Sequence, residues 1–297
     1  MRARIAAIVE RPAGLSPIPH PASDAGEVSS ACCLFPSSCA ESPASAGRAI
    51  SPASAEPADW EAQDLPGREP WTFGIPALDG LLPWRGLHPA GLHELKPASA
   101  GDAPAAVTLA LALAARRLAR HPQATVLWAV ARPLEREIGR LHAPGLAALG
   151  IPWRRIVLVE DANAAATLAA MEEGLRSGAL GAVVGLFEQV AMLPARRLAL
   201  AARTGRTPCL VLTGSRRAAL PVCHTGWQIA PAPGAPHPFD RASPGARRWQ
   251  LTLARCRGRA GGDAFLLEWS DETVSFALVP ALADRAPAQG EPRRHTP

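Results

Sequence analysis

Residues 91–119 read GLHELKPASAGDAPAAVTLALALAARRLA, a short apolar strand followed by a loop of small residues and a long apolar helix. That order is the layout of a phosphate-binding loop, and it commits the chain to a strand-then-helix unit that needs a sheet around it. A working loop follows G-x-x-x-x-G-K-[ST]: backbone amides cradle the phosphates, the lysine reaches the terminal phosphates, and the hydroxyl binds magnesium. With the strand ending at Glu94 and Leu95, the closing glycine is Gly101, and Asp102, Ala103 and Pro104 stand where Lys and Ser/Thr belong. Asp102 brings a carboxylate to a place that wants a phosphate, although it suits a helix N-cap with Pro104 in the first turn. The expectation is a retained architecture without its nucleotide chemistry: no enzyme, no cofactor and no metal.

The periodicity around this unit is regular. Helix 104–120 is apolar on most sides, as a helix buried against a sheet must be. A run at 125–130 reads as a buried strand. Pro133 opens a helix that continues through Glu135, Ile138 and Leu141, pauses at Pro144 and resumes to Leu149. Strand 155–159 then precedes helix 164–176, strand 182–187 precedes helix 194–203, and strand 208–213 follows. Such alternation with short loops predicts an α/β domain with a mostly parallel central sheet and helices on both faces. Beyond residue 214, strands at 227–230, 249–253, 265–269 and 274–279 have no helices between them, so they are expected to extend the sheet as antiparallel hairpins. Order begins near Trp71, after an Ala-, Ser- and Pro-rich stretch, 1–69, read as a disordered tail. A domain over 70–283 and a second disordered tail over 284–297 complete the organisation.

Composition limits the partners. The tail carries 5 arginines against 9 acidic residues, whereas residues 70–297 carry 26 basic against 17 acidic. The longest apolar stretch, 103–115, is too short to span a bilayer, and the first residues form no continuous apolar leader, so a cytoplasmic protein is expected. Six cysteines, Cys32, Cys33, Cys39, Cys209, Cys223 and Cys256, show no C-x-x-C pair and read as reduced thiols.

Three further phrases carry a resemblance: TFGIPALDGLLPWRGLHPAGLHEL, RLHAPGLAALGIPWRRIVLVEDANAAATLAAMEEGLRSGALGAVVG and WQLTLARCRGRAGGDAFLLEW. In this order, over about residues 71–280, they resemble the ImuA family of SOS-mutagenesis proteins, relatives of RecA and of the division inhibitor SulA. The resemblance implies a RecA-like core and an accessory role in error-prone translesion synthesis. It also implies partners: an ImuB-type Y-family protein and an error-prone DnaE-type polymerase.

Against RecA-type hydrolysis, the resemblance can be tested residue by residue. An activating carboxylate is due just past Val130, where Ala131, Arg132 and Pro133 stand and Glu135 falls too far along. A magnesium carboxylate is due at Gly185, with Glu188 a few residues late, whereas the sensor position at Thr213 keeps a hydroxyl. Between residues 196 and 259, 12 arginines face a single acid, Asp240, a footprint for single-stranded DNA or an acidic partner. Candidate DNA contacts are Arg216, Arg217, Arg247, Arg248, Arg255, Arg257 and Arg259. Trp227 and Trp249, at alternating strand positions, are expected in the core rather than stacked on bases. The histidines suggest no site. Two rivals stay open: a divergent DNA-dependent ATPase using Lys96 or an arginine supplied in trans, and a SulA-like cell-division inhibitor.

Overall fold

The computed structural model describes residues 69–131, 138–161, 163–216, 219–235, 237, 239, 240, 243 and 245–280. The expected tails and the start of the helix at Pro133 lie outside them.

The chain enters on Trp71, buried with its indole N–H donating to the carbonyl of Leu113 at 2.9 Å. A short helix, α1 (Pro76–Asp79), follows because the Asp79 carboxylate accepts the amides of Phe73, Gly74 and Ile75 at 2.7–3.0 Å, closing the turn with its own side chain. Ile75, Leu78 and Leu82 then point inward.

Among the described residues nine strands form one sheet: β1 (Leu92–Pro97), β2 (Val126–Ala131), β3 (Ile156–Asp161), β4 (Ala182–Leu186), β5 (Cys209–Leu212), β6 (Thr225–Ala232), β7 (Arg248–Cys256), β8 (Ala264–Ser270) and β9 (Ser275–Leu278). Their order is β3-β2-β4-β5-β1-β6-β7-β8-β9. Strands β3 to β6 in that order run parallel, and β6 to β9 run antiparallel. The fold is therefore α/β with a mixed sheet, as the alternation predicts. The strand at 225–232 forms the expected antiparallel pair with β7, and along its other edge it lies parallel to β1, with His93 opposite Thr225. The chain crosses from β5 over β1 through residues 213–224, with no helix among the described residues there, and period-two patterning carries no information about strand direction.

Helices cover both faces. On one, α2 (Ala103–Arg120) packs Leu109, Leu113 and Leu118 against Trp128, Val184, Leu210 and Trp227. Arg155 tethers the end of α2 and the turn after it, donating to the carbonyl of Leu118, which the helix C-terminus leaves unpaired, and to those of His121 and Ala124. On the other face, α4 (Ala164–Ser177) and α5 (Met192–Gly205) enclose Leu127, Val183, Cys209 and Val211. Asn163 caps α4 through Ala165 and Gly178 ends it in the left-handed conformation. Between β2 and β3, α3 (Ala143–Ala148) differs from expectation: Pro144 opens this helix rather than interrupting a longer one, because His142 before it is extended. Trp227 and Trp249 are buried, and Trp249 donates to the carbonyl of Ala105 at 3.0 Å, so both are core residues as expected.

Candidate functional site

The parallel strands β1, β2, β4 and β5 end together on an open groove of about 1080 Å³. Its floor is Pro97, Ala131, Leu186 and Leu212; its rim is the loop Ala100–Ala103 on one side and Glu188, Gln189, Ser215 and Arg216 on the other. Ligands in open α/β sheets bind at this end.

The loop after β1 has turned inward. Ala98 still pairs with β6, donating to Ile229 at 2.7 Å, and Ser99 then starts a single 3-10 turn, Ala100–Asp102. Ser99 and Asp102 close a reciprocal capping box in which the Asp102 carboxylate accepts the Ser99 amide at 2.8 Å. Asp102 is the N-cap residue of α2 with Pro104 in its first turn, as expected, but its side chain makes no cap bond to that helix. A loop amide that could meet an anion thus meets the chain's own carboxylate. Lys96 lies within β1 on the same alternation as Leu92 and Glu94 and does not line the groove.

At the end of β4, Gly185 is held by packing. A Cβ there would stand 2.3 Å from the Met171 Sδ and 2.8 Å from the Phe187 ring, so helix α4 has filled the space an acidic side chain needs. Glu188, three residues later, is exposed on the rim, and its carbonyl accepts the Gly214 amide at 3.0 Å. Arg132, Pro133 and Glu135 lie outside the described residues.

The hydroxyl at Thr213 is engaged. It donates to Glu94 Oε1 at 2.6 Å, and Glu94 Oε2 accepts the Leu220 amide at 2.8 Å. Glu94 is 1% exposed. Arg255 donates to the Leu220 carbonyl at 2.9 Å and Arg257 to that of Val222 at 3.4 Å, so the crossover 213–224 is pinned from both sides. Sequence reasoning missed Glu94 as a partner of Thr213; the signal was an acid between the two leucines of β1, Leu92 and Leu95.

The arginine candidates divide by surroundings. Arg216 is exposed on the groove rim, and Arg217 lies outside the described residues. Arg247 pairs with Asp271 and Arg248 with Glu268, each at 2.7 Å; Arg259 pairs with Asp263 at 2.7 Å and reaches the Leu81 carbonyl. The stripe is thus interleaved with acids from beyond residue 259. It does not gather on one face of the groove.

A second cluster was not expected. His88 stacks on His224 with centroids 4.6 Å apart, Trp84 meets both edge-on, and His93 lies beneath, bonded to Thr225 at 2.8 Å and to the His88 carbonyl at 3.1 Å. Burial holds all three imidazoles neutral, His88 at about 4, His93 at about 3 and His224 at about 2, and the Arg257 charge adds to the effect on His88 and His224. Nothing in their spacing announces this, since His224 arrives through the β6 pairing. Among the described residues no His, Cys, Asp and Glu group is arranged to hold a metal ion. The described cysteines, Cys209, Cys223 and Cys256, are free and buried, and burial pushes their thiols up.

Comparison with known proteins decides the relationship. The chain is 35% identical over 239 residues to Protein ImuA of Caulobacter vibrioides, in strains NA1000 / CB15N and ATCC 19089 / CIP 103742 / CB 15, covering 75% of this chain and 94% of that protein. The chain belongs to the ImuA family. No protein-family model matches it. The groove, the closed Asp102 loop and the pinned crossover are therefore features of an ImuA-family chain. Among its described residues no helix is long and apolar enough to cross a membrane.

Proposed function

We propose that this ImuA-family chain is a non-catalytic accessory of SOS-induced, error-prone translesion synthesis. It is built on a RecA-like core and acts as an adaptor beside an ImuB-type Y-family protein and an error-prone DnaE-type polymerase. The observation that carries the reading is the loop at the groove: Asp102 accepts the Ser99 amide where a nucleotide-binding loop presents amides to phosphate. Gly185, closed over by Met171, supports it from the metal side of the same groove. A sheet kept in full while its nucleotide end is stopped by its own side chains suits a protein whose surfaces are its function. Contact with single-stranded DNA falls in this reading to Arg216, exposed on the rim, more than to Arg247, Arg248 and Arg259, whose charge is matched by carboxylates.

The test combines phosphate release and complex formation on the purified full chain. Release at the buffer rate with Mg²⁺, ATP and single-stranded DNA, together with co-elution with the ImuB-type protein of the same organism, supports the adaptor. DNA-stimulated release that vanishes on changing Gly101 or Lys96 makes it a divergent ATPase. Cell filamentation on overexpression with unchanged ultraviolet-induced mutation frequency makes it a division inhibitor.

A further inference from the structure

Helix α5 buries Ala195, Leu198, Ala201, Ala202 and Gly205 on its inner side. On its outer side Leu193 is 68% exposed and Leu200 57%. Seven residues apart, they sit two turns from one another on a single line facing water, about 10 Å apart along the axis. Met192 joins them at the N-terminal end, 38% exposed. The charges on this face are of one sign: Arg196 and Arg203 flank the leucine line on one side and Arg197 on the other, and the helix carries no acid. Arg197 is anchored by Glu172 of α4 at 2.9 Å, which fixes that flank.

Single exposed leucines are ordinary, but two of them aligned along one face of a helix, with Met192 at its end, make an apolar strip of the kind that marks an interaction surface. A phosphate backbone gains nothing from them, whereas an apolar line bordered by arginines complements a helix with apolar anchors at the same spacing and acids beside them. We propose that the outer face of α5 docks an acidic amphipathic helix of a protein partner, with Leu193 and Leu200 as apolar anchors and Arg196 attracting its carboxylates. The inference rests on the adaptor reading and adds the surface and the chemistry of what it binds.

The experiment uses the full chain and the purified ImuB-type protein as probe, with binding followed by biolayer interferometry at two salt concentrations. Leu193→Ser with Leu200→Ser leaves the melting temperature unchanged, because both side chains already face water, and weakens the complex on the order of 100-fold, through faster dissociation. Arg196→Glu slows association on the order of 10-fold at low salt, and the difference fades at high salt. If the wild type binds and both variants bind equally well, the surface is wrong and the adaptor reading stands. If the wild type does not bind at all, both fall. Light scattering that finds a wild-type dimer made monomeric by the leucine variant assigns the face to a second copy and overturns the proposal. Loss of binding to single-stranded DNA or anionic vesicles, with partner binding intact, overturns it as well.

Discussion

The Thr213 hydroxyl and the Glu94 carboxylate, 119 residues apart in sequence, meet at 2.6 Å inside the sheet, at the point where β5 ends and the crossover to β6 begins. With the Leu220 amide on the other oxygen, Glu94 is a fixed point for the crossover between β5 and β6. A buried carboxylate is tolerated only where it is hydrogen-bonded, and removing it leaves donors stranded.

Glu94→Ala is therefore expected to cost about 3 kcal/mol in urea unfolding, and Glu94→Gln, which keeps an acceptor, about 1 kcal/mol. Hydrogen exchange at the Leu220 amide should rise in both, more in the alanine variant. Unchanged protection at Leu220 would mean that Arg255 and Arg257 hold the crossover without Glu94.

Reinstating an acid at the end of β4 is expected to fail. Gly185→Asp drives its Cβ into Met171 and lowers stability by more than about 3 kcal/mol, and Gly185→Ala does so by about 1–3 kcal/mol. Met171→Ala introduced with Gly185→Ala should recover part of the loss, a coupling that a double-mutant cycle reads directly.

The contact between α4 and α5 offers a cleaner case. Gly205 brings its Cα so close to the end of α4 that a Cβ would lie 1.7 Å from the Leu175 carbonyl oxygen, a backbone atom that cannot step aside. Gly205→Ala is expected to lower the melting temperature by several degrees, as a loss of about 2–3 kcal/mol does in a domain of this size. An unchanged melting temperature would show that the two helices separate freely.

Stability should fall in mild acid through the histidine cluster. The folded imidazoles sit at about 4, 3 and 2, below the ordinary value of 6.5, so between pH 6.5 and 4 the unfolded chain takes up protons that the folded one refuses. Their contribution is intact above pH 6.5 and declines below it, by at most about 2 kcal/mol for each imidazole at pH 5. Thermal melts from pH 7.5 to 5 should show the decline, and His224→Phe should flatten it.

At the loop, Asp102→Ala should release the Ser99 amide and cost about 1 kcal/mol of stability, the ordinary worth of a cap. A fluorescent ATP analogue reads whether the freed amide takes up phosphate. Binding by Asp102→Ala but not by the wild type would identify the carboxylate as the stopper, and binding by the wild type would count against the non-catalytic reading.

Most strands and helices were legible because periods of 2 and 3.6 mark a buried strand and a half-buried helix, as with Val126 to Ala131 and with α4. The direction of β6 was not, since alternation at Trp227 and Ile229 is the same whichever way the strand runs. Pro144 read as a break inside a helix because the extended conformation of His142, which makes it a start, is a tertiary outcome. The candidate site was half legible. Its missing lysine, hydroxyl and acid were plain at Asp102, Ala103 and Gly185, but the arginine stripe gave no hint that Asp263, Glu268 and Asp271 fold back onto it. The pairing of Glu94 with Thr213 and the gathering of His88, His93 and His224 depend on strand order alone, which no local pattern encodes.

The crossover that leaves β5 and joins β1 from its far side has a consequence for how the chain is made. Strand β1 leaves the ribosome early, yet its two neighbours are residues 209–212 and 225–229, and the contact of His93 with Thr225 spans 132 residues. Until both arrive, the most central strand of the sheet has two open edges and the groove has no far wall. Nascent chains stopped before residue 225 are thus expected to be bound by chaperones or degraded, and assembly with any partner must wait until the C-terminal third has been synthesised.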